Sequence, residues 1–266
     1  MFQAGRAVLT PQQAAAVIPL NWPSFTSRGI AFRRGALSLI AGPPGSGKSS
    51  LALQVAVDSG VPTLMLSADT TRHTVHKRLL AMFTGIAQNE VEQMMVEDRQ
   101  WASQVLSRSH NIWLDDDSSP TLEKIELLIE AFREATGIEP ELIIIDNAGD
   151  VLVDGQDEWG ALRTLMRDLR YYARDTGAAV VALHHTRLGA GNPAPPHDSL
   201  HGKISQVPEL ILTLTSDANP GFLGVSPVKH RHGTPDPYGS DPVWMEFNAA
   251  ASQITDMQGA PRDESV

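Results

Sequence analysis

A short glycine-rich segment, Gly42-Pro43-Pro44-Gly45-Ser46-Gly47-Lys48-Ser49, constrains the fold of this chain more than any other feature. An apolar run at 36–41 precedes it and predicts a strand. Residues 49–57 follow it with apolar side chains at the spacing of one helix face. The pattern Gly-x-x-x-x-Gly-Lys-Ser is informative in this strand–loop–helix context. It predicts a parallel α/β unit with the loop at the carboxyl end of its first strand.

The same loop has the chemistry of a phosphate cradle. Gly42, Gly45 and Gly47 let backbone N–H groups approach a phosphate without an intervening Cβ. The helix that begins near Lys48 adds partial positive charge. In loops of this kind the lysine reaches the β- and γ-phosphates and the hydroxyl after it binds Mg²⁺. We therefore expect ATP and Mg²⁺ to bind here, with contacts from Gly42, Pro43, Pro44, Gly45, Ser46, Gly47, Lys48, Ser49 and Ser50.

Strand and helix patterns alternate along the middle of the chain. Predicted strands lie at 36–41, 63–67, 111–114, 141–146 and 178–183, with predicted helices at 49–57, 74–84, 90–107, 119–137 and 157–176 between them. Four further strands, at 210–214, 222–228, 243–247 and 252–256, follow without helices. The predicted fold is α/β, a mostly parallel central sheet flanked by helices, with antiparallel strands at its C-terminal end.

The ends of the chain are expected to lie outside this domain. Residues 1–34 contain no clear core strand and are predicted to be an N-terminal extension, with a short helix at 10–18 and a turn-rich stretch at 21–24. The ATPase domain is expected to span 35–256, and the polar tail at 257–266 is expected to be disordered.

Two aspartates follow predicted strands of the sheet. Asp146 ends the aliphatic run 141–146, and Asp69 follows the second strand. Carboxyl ends of parallel strands meet at one edge, beside the phosphate loop. Asp146 is therefore predicted to hold Mg²⁺ together with Ser49, and Asp69 to act as the general base for water. The alternatives are a turn or capping role for Asp146 and an N-cap for the helix near residue 74 in the case of Asp69.

Composition limits the classes of partner. The chain has no cysteine and a formal net charge of −10. It has no apolar run of membrane-spanning length and no signal-peptide pattern at its start, so a cytoplasmic location with no membrane contact is expected. A protein that coats nucleic acid everywhere is basic, so any nucleic-acid contact must be local.

Three further motifs sharpen the family assignment. They are Ser67-Ala68-Asp69-Thr70, Leu183-His184-His185-Thr186-Arg187 and Lys229-His230-Arg231-His232-Gly233. With the phosphate loop, they resemble the RecA-like motor domain of DnaB-type replicative helicases over about Ile30 to Asp256. The short DnaB-like helicases of actinobacteriophages are most similar.

The resemblance implies a role for each motif. It implies that Asp69 stands where the family has its catalytic glutamate, and that His184 replaces a glutamine that senses the γ-phosphate. It implies that Lys229 and Arg231 reach the ATP of a neighbouring subunit, with Arg231 as the arginine finger. The catalytic residues implied or predicted are therefore Lys48, Asp69, Asp146, His184, Lys229 and Arg231. The alternatives are structural histidines at 184–185 and a surface basic hairpin at 229–233.

In this family two loops line the central channel of the ring. The first loop here, 147–156, contains Asp150 and Asp154 and has no lysine or arginine. The second, 187–203, is long and contains Arg187 and Lys203, which are the candidate nucleic-acid contacts. Arginines also recur on one helix face, at Arg163, Arg167, Arg170 and Arg174, as a stripe that faces the channel, a neighbour or solvent.

These patterns predict an ATP hydrolase that works as a homo-oligomer. The first hypothesis is a hexameric, ring-forming DNA helicase or translocase of DnaB type that moves along single-stranded DNA in phage replication. The second is a RecA-like ATPase that acts as a recombination mediator, a loader or a regulatory ring ATPase without unwinding activity, as the acidic first loop and absence of an N-terminal domain favour. A monomeric P-loop kinase is the weakest alternative.

Overall fold

The computed structural model describes residues 16–153, 158–186, 194–200, 204–215 and 221–257, without the side chains of Glu158 and Trp159. The strands among these residues are Leu37–Gly42, Thr63–Ser67, Ile112–Asp115, Leu142–Asp146, Ala179–His185, Leu210–Thr215, Phe222–His230, Val243–Asn248 and Gln253–Asp256 (β1 to β9). They form one sheet in the order β3-β2-β4-β5-β1-β6-β7-β8-β9. The first six strands in that order are parallel, and β7, β8 and β9 are antiparallel. The predicted α/β fold is confirmed.

Helices cover both faces of the sheet. They are Pro23–Ser27, Lys48–Ser59, Arg72–Thr84, Gln88–Glu97, Arg99–Leu106, Leu122–Thr136 and Glu158–Thr176 (α1 to α7). Side chains of α6 and α7 pack on one face, for example Ile129 and Leu165, while those of α2 and α3 pack on the other, for example Val55 and Leu79. Strand β4 divides its aliphatic run between the two faces, which is why the run is continuously apolar.

The N-terminal residues differ from the prediction. Val17 forms an antiparallel bridge with Arg33, so the predicted helix 10–18 does not include residues 16–18, and its earlier part lies outside the described residues. The predicted turn at 21–24 is instead the start of α1, with Pro23 at its first position. Trp22 and Phe25 are buried with β-strand side chains in one core, so residues 16–34 pack as part of the domain rather than beside it.

The single helix predicted at 90–107 is divided into α4 and α5. Asp98 separates them in a non-helical conformation, with φ −132° and ψ 85°. Its carboxylate accepts a hydrogen bond from the Trp101 amide at 2.9 Å, which caps α5. The sequence pattern missed this break because apolar spacing continues across it. The other predicted helices and strands agree with the structure within about two residues at most ends.

Among the described residues, no helix combines the length and apolar character needed to cross a membrane. The predicted tail lies outside the described residues from residue 258 onward.

Candidate functional site

The phosphate loop lies between β1 and α2, at the carboxyl edge of the parallel strands. Gly47 has φ 88°, a left-handed conformation that other residues rarely adopt, and α2 begins at the next residue. A Cβ at Gly42 would lie 2.5 Å from the Ser46 hydroxyl oxygen. A side chain at position 42 would require Ser46 to move, and a side chain at position 47 would be strained by the positive φ. Both positions therefore favour glycine.

Lys48 is buried beneath the loop, with 5% of its surface exposed. Its ammonium donates hydrogen bonds to the carbonyl oxygens of Gly42 and Pro43, both at 3.0 Å. It also lies 3.2 Å from the Nδ1 atom of His185. Burial lowers the pKa of Lys48, and the nearby charges of Asp146 and Asp69 oppose that shift. The Lys48 ammonium is thus held by the loop carbonyls, near the carboxylates of Asp146 and Asp69.

Asp146 is 1% exposed at the end of β4. Burial raises the pKa of its carboxyl, while a hydrogen bond with Ser49 and the charge of Arg78 act in the opposite direction. Its Oδ2 atom is buried and has no hydrogen-bond partner among the described residues. A buried carboxylate oxygen beside a serine hydroxyl suits Mg²⁺, which prefers hard oxygen ligands, so the residues present fit the expected metal.

Asp69 lies beside Asp146 because the two strand ends are neighbours. Ser67 of β2 pairs with Asp146 of β4, and the amides of Ala68 and Asp69 donate to the Asp146 carbonyl at 2.6 and 3.3 Å. The charge of Asp69 also contributes to raising the pKa of Asp146. The alternative in which Asp69 caps α3 is wrong, because Thr71 is the capping residue.

A third carboxylate, Asp150, joins this edge of the sheet. Burial raises the pKa of Asp150, and Asp69 adds to the shift. The sequence placed Asp150 only in an acidic loop, since nothing in the motifs indicated that the short turn Ala148–Asp150 would face the same cluster. The charge of Asp69 thus acts on both Asp146 and Asp150.

The histidine pair ends β5, next to the phosphate loop. In the sheet register Ala41 pairs with His184 and Gly42 with His185. The structure brings His185 against Lys48, and the role of His184 as γ-phosphate sensor stays a prediction. Successive side chains of a strand point to opposite faces, so only one of the two imidazoles faces Lys48. Counting this alternation from the phosphate loop is the signal that sequence reasoning did not use.

Lys229 and Arg231 lie near the amino ends of the parallel strands, at the end of the sheet opposite the phosphate loop. His230 pairs with Leu210, which in turn pairs with Ser38 at the start of β1. Gly42 is four residues farther along β1, about 13 Å away at the rise of a strand. Lys229 donates to the carbonyl oxygens of Ser205 and Gln206 at 2.7 and 3.0 Å. Within one chain, these two cations are therefore remote from Lys48.

Two neighbours hold the turn that contains Arg231. Its guanidinium forms a 2.6 Å ion pair with Glu209 and is 55% exposed. His230 Nε2 lies 2.9 Å from the Gly29 carbonyl, while its Nδ1 accepts from the His232 amide at 3.2 Å. The carbonyl requires the Nε2 proton and the amide requires a bare Nδ1, so His230 is neutral. Sequence analysis assigned no role to Glu209 or His230.

An open groove of about 750 Å³ adjoins the phosphate loop on the side of β7 and β8. A Cβ built on Gly47 would lie 3.4 Å from the ring of Phe247, which lines this groove. Phe222, Glu246 and Asn248 also line it. The sequence could not indicate this groove, because its walls come from C-terminal strands that are distant in the chain from the loop.

The candidate nucleic-acid residues Arg187 and Lys203 lie outside the described residues, as does Asp154 of the first loop.

Comparisons with known proteins identify the family of this chain. The model of the AAA domain family matches residues 31–191. The Gene 65 protein of Mycobacterium phage L5 is 36% identical over 251 residues, covering 90% of this chain and 92% of that protein. The replicative DNA helicase DnaB of a Nostoc strain is 25% identical over 182 residues, which are 65% of this chain and 20% of that protein. The resemblance to DnaB-type motor domains is confirmed.

Solved structures show the same fold. A DnaB-like replicative helicase, described together with its interactions with primase, matches with a TM-score of 0.77 at 18% identity. The match covers 96% of this chain and 66% of that one. The RadB recombinase matches with a TM-score of 0.60 at 18% identity, covering 91% of this chain and all of that one. The sheet and helices described above are therefore of the RecA-like type.

Proposed function

This chain belongs to the AAA domain family, and we propose that it is an ATP-driven, ring-forming DNA helicase or translocase of DnaB type. In this proposal it acts on single-stranded DNA during phage replication, in the cytoplasm of the host. One observation carries the proposal. Lys48, Asp69 and Asp146 lie at the carboxyl ends of the parallel strands. The Lys229/Arg231 pair lies at the amino ends. Each chain thus offers two halves of an ATPase site that cannot meet within it.

The first half would bind ATP and Mg²⁺. The loop amides and the start of α2 would hold the phosphates, and Lys48 would exchange the carbonyls of Gly42 and Pro43 for phosphate oxygens. Ser49 and the buried Oδ2 edge of Asp146 would hold the metal. When bound, Mg²⁺ supplies positive charge against the phosphates. The ring of Phe247, beside Gly47, would contact the base, together with Phe222 in the same groove.

Asp69 would be the general base that orients the attacking water and accepts its proton. Its position near Asp146 and Lys48 supports this role, since its charge contributes to the pKa shifts of both groups. Aspartate is one methylene shorter than the glutamate that the family resemblance implies here. The hydrogen bond from the Ala68 amide to the Asp146 carbonyl holds the Asp69 backbone close to the site, which compensates for the shorter side chain. His184 is the proposed γ-phosphate sensor, with His185, which contacts Lys48, as the alternative.

The second half would serve the next subunit. Arg231 is half exposed and held by Glu209, as a finger that projects from the surface needs to be. Lys229, anchored on Ser205 and Gln206, would support it. An arginine finger supplied in trans stabilises the charge of the transition state. We therefore propose a closed ring, hexameric as in the DnaB type, with nucleotide at each subunit interface. Arg187 and Lys203 would contact DNA.

The alternative is a RecA-like ATPase that acts as a recombination mediator, a loader or a regulatory ring without unwinding activity. The acidic first loop favours it, since Asp150 lies close enough to Asp69 to be influenced by its charge and offers no cation to a phosphate. The similarity of fold to the RadB recombinase is compatible with this class.

ATPase rates with and without single-stranded DNA, measured together with native mass in the presence of ATP, test the proposal. A ring whose hydrolysis DNA stimulates supports the motor. A ring that DNA does not stimulate contradicts the motor and favours the regulatory class. A monomer under ATP contradicts both. A forked-duplex unwinding assay then separates a helicase from a mediator or loader.

A further inference from the structure

Helix α7 carries a row of arginines on its outer surface. Arg163, Arg167, Arg170 and Arg174 are all exposed, while Leu162, Leu165 and Leu169 are buried. On an ideal helix the four arginines fall within about 60° of one another and extend over about 16 Å. They therefore form one basic stripe along the solvent side of α7.

Three arginines of the stripe form no ion pair with the described residues, in a chain that is rich in carboxylates. Within the described part of the chain, Arg167, Arg170 and Arg174 form no ion pair, although the net charge is −10. Acidic side chains of α6 line a small cleft together with Tyr171, Tyr172 and Asp175 of α7. Tyr172 donates to Glu126 at 3.0 Å within this cleft. On the helix surface Tyr171 lies between the cleft and the arginines. The unpaired arginines thus look outward and away from α6.

An aromatic side chain stands beside the stripe. Tyr171 is 62% exposed. Arg167 is one turn before it and Arg174 one turn after it, so the three side chains are neighbours on the helix surface. An exposed ring between unpaired cations is the combination that single-stranded nucleic acid needs, because bases stack on the ring while phosphates meet the charges. A protein partner with an acidic face would use the charges but would not require a stacked base.

We infer that the α7 arginine stripe and Tyr171 form a binding surface for single-stranded DNA, with arginines on the phosphates and Tyr171 stacked on a base. The inference rests on the proposed function for the choice of polymer and adds the surface that binds it. Helix α7 contacts the turn Ala148–Asp150. That turn follows Asp146 and presents Asp150 instead of a cation, so the neighbouring helix supplies the phosphate contacts.

The stripe is tested by fluorescence anisotropy of an oligothymidylate as a function of salt concentration. The triple variant Arg167→Gln, Arg170→Gln, Arg174→Gln removes three cations and should weaken binding roughly 10- to 100-fold at about 0.1 M salt. The slope of log K against log salt should fall by about two, since each phosphate contact with a single strand contributes about 0.7. The matching lysine triple keeps the charges and should keep the slope.

Tyr171 is tested with two probes. Tyr171→Ala should weaken binding of oligothymidylate by roughly tenfold and leave binding of an abasic strand unchanged, while Tyr171→Phe should bind both like wild type. Arg99→Gln, which removes an exposed arginine of α5 that forms no ion pair among the described residues, is the control for loss of an arginine outside the stripe and should not alter binding.

Each outcome decides between explanations. Loss of DNA binding by the glutamine triple, with native mass and thermal midpoint retained, supports the surface. Unchanged DNA binding overturns it, and so does loss of the native assembly, which would assign the stripe to subunit contact. If wild type binds no single-stranded DNA at all, the proposed function fails rather than the location of the surface.

Discussion

The guanidinium of Arg231 and the carboxylate of Glu209 form an ion pair with an Nη1–Oε1 distance of 2.6 Å. The other oxygen of Glu209 lies 3.1 Å from His232 Nε2. Burial alone would raise the pKa of Glu209, but the hydrogen bond with His232 and the charge of Arg231 outweigh it and lower the pKa. Glu209 therefore stays ionised and holds the arginine in a defined direction at the edge opposite Lys48.

Removal of the finger should separate chemistry from binding. Arg231→Ala should lower kcat for ATP by about 10³- to 10⁵-fold while the affinity for ATP stays close to that of wild type. The physical reason is that the finger acts on transition-state charge and on a nucleotide bound by another subunit. Equilibrium binding of a fluorescent ATP analogue measures the affinity, and steady-state hydrolysis measures kcat. A collapse of binding would assign Arg231 to ground-state contact. Arg28→Ala, which removes a partly exposed arginine paired with Asp241, is the control.

Asp69 and Asp150 give a matched pair of carboxylates at one site. Asp69→Asn should lower kcat about 10²- to 10⁴-fold with little change in KM, because proton acceptance from water is lost. Asp150→Asn should have a much smaller effect, since it changes the local charge and leaves the base in place. Asp69→Glu should retain activity, because it keeps a carboxylate and the resemblance to the DnaB family implies a glutamate at this position. Equal losses from the two asparagine variants would contradict the assignment of Asp69 as the base.

Asp146 should destabilise the protein when no metal is bound. Its pKa is raised from the usual 3.8 by burial, so the native state holds the proton more tightly than the unfolded chain. Stability is therefore unaffected well below pH 3.8 and falls as the pH rises through the raised pKa. At neutral pH, Asp146→Asn should raise the thermal midpoint of the nucleotide-free protein, by about 2–4 °C per kcal/mol recovered.

The same variant should lose the stabilisation that Mg²⁺ with an ATP analogue confers on wild type. A scanning-fluorimetry series from about pH 4 to pH 8, with and without the ligands, measures both effects. A lower midpoint for Asp146→Asn across the series would mean that the carboxylate is structural.

Phe247 should contribute to nucleotide affinity and not to chemistry. Because its ring lies against Gly47 at the edge of the open groove, Phe247→Ala should weaken ATP binding roughly tenfold while kcat is retained. Phe247→Tyr preserves the ring and should bind like wild type. Inorganic triphosphate, which has no base, should compete equally well against wild type and the alanine variant. A parallel loss of triphosphate affinity would show that the ring supports the loop rather than the base.

Elements whose conformation is determined by a short stretch of sequence, such as a buried strand or a glycine loop, were predictable from the sequence. The aliphatic run ending at Asp146 and the glycine loop each required one conformation, and the structure agrees with both. The break at Asp98 depends on a single capping hydrogen bond that apolar periodicity does not register. The burial of Trp22 and Phe25 depends on contacts with distant strands.

The site shows the same division. Residues at strand ends could be placed near one another from topology alone, as Asp69 and Asp146 are. The choice between His184 and His185 depends on strand register. The contacts of Arg231 with Glu209 depend on how β7 returns beside β6, which a linear motif does not encode.

The most direct measurement of the central claim is hydrolysis by mixed assemblies of two inactive variants. Lys48→Ala lacks the phosphate half of the site, and Arg231→Ala lacks the finger half. If each site is shared, an Arg231→Ala subunit that meets the intact finger of a Lys48→Ala neighbour forms a complete site. Equal, randomly assembled mixtures should then recover up to about a quarter of wild-type activity, because both halves are intact at that fraction of interfaces. A mixture as inactive as either variant alone, in assemblies shown by native mass to contain both chains, would contradict the account.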